Sequence, residues 1–138
     1  MEKIYSKING ELLHMVHRLE DMVKSRIDVI SDDNFLQLAV MKMEEGKTFR
    51  PHRHIYKEVS YDKVIAQESW VVIRGKVKVF MYDIKGSEIL AEPILGPGDA
   101  SITLKGGHTF EILEDNTIAY EYKTGPYEGQ ALDKEFIN

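Results

Sequence analysis

The sequence predicts an all-β, single-domain protein with one N-terminal helix. Three observations lead there. The second half of the chain is a series of short apolar runs, each ended by a turn signal: Gly75, Lys85-Gly86, Gly96-Pro97-Gly98-Asp99, Gly106-Gly107 and Glu114-Asp115-Asn116. Several runs have a period of two, as Val77, Val79 and Met81 alternate with Lys76, Lys78 and Phe80. At 138 residues the chain is the size of one domain and long enough to bury a core.

Taken in order, residues 11–27 place Leu12, Val16, Leu19, Val23 and Ile27 at steps of three and four, which predicts an amphipathic helix with Asn9 as its N-cap. On that helix His14 and His17 fall on the polar side, as solvated surface residues. After Asp32-Asp33-Asn34 the period becomes two, and strands are expected over 35–43, 69–73, 77–81, 88–95, 101–104, 109–113 and 117–123. Residues 55–67 lack a clean period and are expected to form a loop at a barrel mouth. The division is residues 1–34 as a helical segment packing on a barrel, and 35–138 as the β-barrel itself.

Composition restricts the chemistry. The chain has no cysteine, so disulfides, thiolate metal sites and cysteine nucleophiles are excluded. A net charge of −5 speaks against a general nucleic-acid binder. The opening Met-Glu-Lys-Ile-Tyr-Ser-Lys lacks the apolar run of a signal peptide, and no stretch is apolar enough to span a bilayer. A cytoplasmic protein without membrane partners is the expectation.

The chemistry-bearing residues are histidines. His52 and His54 stand one apart, and on an extended strand both imidazoles would project to one face. His108 follows Gly106-Gly107, and the carboxylate of Glu68 precedes the run Ser69-Trp70-Val71-Val72-Ile73. Neutral imidazole is the commonest protein metal ligand, and a nitrogen and oxygen donor set suits Mn, Fe, Co, Ni, Zn or Cu. Trp70 and Val72 would share a face with Glu68, and Phe110 one with His108. Arg50 and Tyr56 could meet an anionic or sugar ligand at the mouth.

These residues resemble the cupin superfamily. Its first motif runs Gly, five residues, His-x-His, a spacer, Glu, six residues, Gly, and Gly46, His52, His54, Glu68 and Gly75 follow it with a longer spacer. Glu58 fits the usual spacer but has no glycine after it at the expected place; Glu68 leads directly into a strand and a turn glycine. The second motif is matched in outline from Gly98 to His108, with Leu104 in place of a proline, a gap one residue short, and Ile112 where an asparagine belongs. The resemblance covers most of residues 35–123. The ending Gly-Gly-His-Thr-Phe-Glu-Ile-Leu-Glu-Asp, with Tyr-Glu-Tyr-Lys-Thr-Gly-Pro-Tyr and Asp-Lys-Glu-Phe, is similar to small cupin-fold metalloproteins encoded among surface-polysaccharide genes.

The resemblance implies a jelly-roll barrel, or double-stranded β-helix, holding one divalent metal on His52, His54, Glu68 and His108. It implies a metal-dependent enzyme acting on a small polar or sugar-related molecule. The alternatives are a non-catalytic small-ligand or regulatory module, and a metal-free sugar-nucleotide isomerase or epimerase in which a histidine moves protons. No separate catalytic base stands out. Open sheet edges lead us to expect a homodimer.

Overall fold

The computed structural model describes residues 1–58 and 64–138, and its fold is an open β-sandwich. Eleven strands form among the described residues: β1 (Glu2–Tyr5), β2 (Leu12–His17), β3 (Arg26–Asp28), β4 (Ala39–Met41), β5 (Glu68–Arg74), β6 (Val77–Tyr82), β7 (Ile89–Ala91), β8 (Ile94–Leu95), β9 (Ala100–Thr103), β10 (His108–Ile112) and β11 (Ile118–Lys123). One short helix, α1 (Gln130–Asp133), follows them. A five-stranded sheet runs β1-β2-β9-β5-β11, and a second sheet runs β10-β6-β7 with β8 also on β6. All pairings are antiparallel. The sheets do not close into the expected barrel.

Both faces of the five-stranded sheet are covered over its inner strands. On the inner face Val16 and Val72 pack with Val77, Val79, Met81 and Leu95 of the second sheet. On the outer face Met15, Ala100 and Ile102 pack with Val29 and Ile30, and Ile27 and Val40 of the small β3–β4 ribbon close over them.

The strands from β5 onward follow the sequence pattern closely. The 88–95 run divides at Pro93, which has no N–H to offer a ladder, into β7 and β8. The strand expected over 35–43 shrinks to β4.

The N-terminal helix is overturned. Residues 12–17 form a strand, and a single 3-10 turn at Leu19–Asp21 is all the helix that 11–27 contains. The helical stripe was coincidental: Leu19 is 61% and Val23 80% exposed. β2 is central in its sheet and buried on both faces, so its run Leu-Leu-His-Met-Val-His shows no alternation, and periodicity cannot tell such a strand from a buried helix. Asn9 is not a helix cap. Its Oδ1 accepts the Glu11 N–H at 3.0 Å within the β1–β2 hairpin turn, which Ser6 N–H and the Glu11 carbonyl close at 2.8 Å. An Asn-Gly pair is a strong hairpin signal, and it was available at Asn9-Gly10.

That turn is fastened to the second sheet through Asp83. Its carboxylate accepts the Ser6 hydroxyl at 2.6 Å and the Lys7 N–H at 2.8 Å. Burial works to raise Asp83, but the bonds from Ser6, Ile84 and Lys7 outweigh it and hold the group below its usual range.

Candidate functional site

Glu68 opens β5, opposite Thr103 of β9 on one side and Lys123 of β11 on the other. Thr103 in turn faces His14 of β2. Directly paired residues point to the same face, so His14, Thr103, Glu68 and Lys123 form one polar row across the inner face. Each has its partner. His14 Nε2 lies 2.8 Å from the Tyr82 carbonyl and Nδ1 3.1 Å from the Thr103 hydroxyl. A carbonyl only accepts, so the proton sits on Nε2 and Nδ1 accepts from Thr103. Burial pushes this imidazole down to about 4, and His14 is neutral at physiological pH.

The second sheet supplies His108, the first residue of β10. The Gly106-Gly107 turn delivers it by passing close over His14. A Cβ on Gly106 would lie 2.6 Å from the Tyr82 carbonyl oxygen, at a backbone φ of +82°, so only glycine fits there. His108 Nε2 then stands 3.1 Å from Glu68 Oε1 across the sandwich. Burial acts to raise Glu68, but the His108 hydrogen bond, followed by the charges of His108, Lys134 and Lys123, holds it below the usual carboxylate range. Glu68 is therefore ionised, and His108 Nε2–H donates to it. The other ring nitrogen, Nδ1, is buried without a partner among the described residues.

Beside this pair lie two aromatic rings. Trp70 and Phe110 stack across the two sheets at 3.9 Å and 9°, and the His108 ring meets Phe110 edge-on at 5.5 Å. Trp70 Nε1–H donates to Glu121 at 3.0 Å. The C-terminal segment adds Asp133, paired with Lys123, and Tyr127, whose ring lies 4.4 Å from the Lys123 ammonium.

His52 and His54 lie elsewhere. The described residues between β4 and β5 hold no strand, so the pair is not displayed on a ladder as its spacing suggested. Both rings are exposed and meet edge-on at 5.4 Å, and His52 Nδ1 lies 3.0 Å from its neighbour Arg50 carbonyl. Glu58, Arg50 and Tyr56 are also exposed. The loop expected over 55–67 is present in its described parts, and residues 59–63 lie outside the described residues.

Fit to a metal can be judged on the donors. Two ligands at right angles about a cation, each at ~2.1 Å, stand about 3.0 Å apart. Glu68 Oε1 and His108 Nε2 stand 3.1 Å apart, but as a hydrogen-bonded pair, and Nε2 would have to give up its proton to bind a cation. His52 and His54 do not join them, and among the described residues no group of three or more His, Asp or Glu is arranged to hold a metal ion.

Glu68, His108, Trp70 and Phe110, which the sequence pattern groups together, do share one neighbourhood. Thr103 and Lys123 join them without having been singled out, although the alternation of their strands puts them on the same face, and His14 and His17 are not the surface residues expected. Both are buried. Compared with family models, curated proteins and solved structures, the chain matches none. Among the described residues no helix is long and apolar enough to cross a membrane.

Proposed function

We propose that the protein is a cupin-like, metal-dependent enzyme that takes a small polar or sugar-related molecule, with Glu68 and His108 as its central pair. The observation that carries this reading is the 3.1 Å contact between a carboxylate and an imidazole from opposite sheets, beside the Trp70–Phe110 stack. Apolar walls with a few convergent polar groups are the usual construction of a small-molecule site. The motif register of Gly46, His52, His54, Glu68 and Gly75 supports adding His52 and His54 as the remaining ligands. A divalent cation held by these four would polarise a substrate oxygen or lower the pKa of bound water. The chain's own part is to keep Glu68 ionised, to orient His108 through it, and to offer an aromatic wall to an apolar ligand face.

A second reading needs no metal. The same contact fixes His108 by a carboxylate, which is how a histidine is held for general acid–base work. Metal analysis of protein purified without a chelating column separates the two. The first reading expects about one equivalent of metal per chain, lost in a His52→Ala/His54→Ala double variant and in His108→Gln. A protein that binds none of Mn, Fe, Co, Ni, Zn or Cu would leave the metal-free pair. The acid–base reading then expects His108→Gln to abolish turnover while the His52/His54 variant keeps it.

The homodimer belongs to the same proposal. β11 is an edge strand carrying exposed Tyr120 and Tyr122, and an unpaired edge of this kind favours pairing with a second copy. Sedimentation should give twice the chain mass, reduced to the chain mass by Tyr120→Lys/Tyr122→Lys. A monomer at micromolar concentration would remove this part.

A further inference from the structure

We propose that the cleft on the outer side of β2 is a second binding site, for a small monocarboxylate with an apolar body, with His17 at its floor and Lys24 at its rim. Side chains of β2 alternate between two cores. His14 and Val16 face the second sheet, whereas Met15 packs with Val29, Ile30 and Ile102 on the outer side. His17 is paired opposite Ala100 of that outer core and shares its side. This places it across the sheet from Glu68, so the site is independent of the proposed metal centre.

His17 is 1% exposed, yet its Nε2 has no hydrogen-bond partner among the described residues. Three residues earlier, His14 has both nitrogens bonded. Buried ring nitrogens are nearly always satisfied, and an unsatisfied one calls for a partner the chain does not supply. His17 lines a cleft of about 460 Å³, within the range of small-molecule sites.

The cleft's charges decide what that partner is. Asp21 is occupied by the Arg18 N–H at 2.8 Å and by the Met1 amine. Arg26 and Asp28 pair with each other at 2.6 Å. Lys24 also lines the cleft and has no ion pair among the described residues. Val23 and Ile27 supply apolar wall. Once internal pairs are set aside, one imidazole and one ammonium remain. Burial, only partly offset by Asp21, holds the His17 imidazole below its ordinary range, so it meets a ligand as a neutral ring with an N–H to donate. The countercharge comes from Lys24. A single carboxylate uses both, and its apolar remainder covers Val23 and Ile27.

Benzoate is a suitable probe, followed through the ring ¹⁵N resonances of the histidines in the intact protein. Saturable movement of the His17 resonances is expected, with those of His108 unmoved. Benzyl alcohol, the uncharged counterpart, should bind roughly tenfold more weakly, and so should benzoate to Lys24→Met. Lys24 is exposed, so that variant tests the charge without disturbing the fold. His17 resonances that stay still at millimolar benzoate would overturn the proposal, as would equal affinity in Lys24→Met.

Discussion

At the scale of single residues, the chain contains four histidine environments, and only the surroundings tell them apart. His52 and His54 are exposed, His108 leans on a carboxylate, His14 is buried with both nitrogens bonded, and His17 is buried with its Nε2 unpartnered among the described residues. The buried pair carries a pH dependence whose sign can be worked out. His14 is lowered in the folded chain to about 4, chiefly by burial, while an unfolded histidine titrates near 6.5. Above 6.5 neither state takes the proton and the native fold loses nothing. Between 6.5 and about 4 only the unfolded chain is protonated, so stability falls as pH falls, by a limit of order 3 kcal/mol for His14 alone. Urea midpoints at intervals across that window should decline in the wild type. His14→Gln, whatever its stability at neutral pH, should decline less steeply. Parallel slopes would mean that His14 is not held neutral by the fold.

At the scale of elements, legibility depended on how many faces of a strand were covered. β6 shows the regular alternation of Val77, Val79 and Met81 because one side is core and the other half-exposed, and its bounds were read nearly to the residue. β2 is covered on both sides, which erased its alternation and let a chance helical stripe through Leu19 and Val23 prevail. The Asn9-Gly10 turn was the local signal that outweighs such a stripe. The His52-x-His54 spacing was visible, but among the described residues no strand forms around it. Burial also sets mutational sensitivity. Ile102, fully buried in central β9, should lose about 2–5 kcal/mol on truncation to alanine. Ile94 on β8 is half-exposed and should lose well under that. Denaturant unfolding of the two variants checks the contrast, and similar losses would contradict the placement of the core.

At the scale of the whole molecule, one sheet serves two cores and presents a different polar group to each. The inner face brings His14, Thr103, Glu68 and Lys123 into a row against His108, and the outer face carries His17 to a separate cleft. The all-β character, the turn positions, the lack of thiol chemistry and the list of chemistry-bearing histidines are all local properties of composition and spacing, and the sequence by itself determined them. Which histidines are buried, and that Glu68 meets His108 while His52 and His54 stay apart from them, are facts about pairs far apart in the chain: 40 positions for Glu68 and His108, 89 for His14 and Thr103. Only the stacking of the two sheets decided those, because a side chain's neighbours across a sandwich depend on strand order and register, which no local pattern encodes.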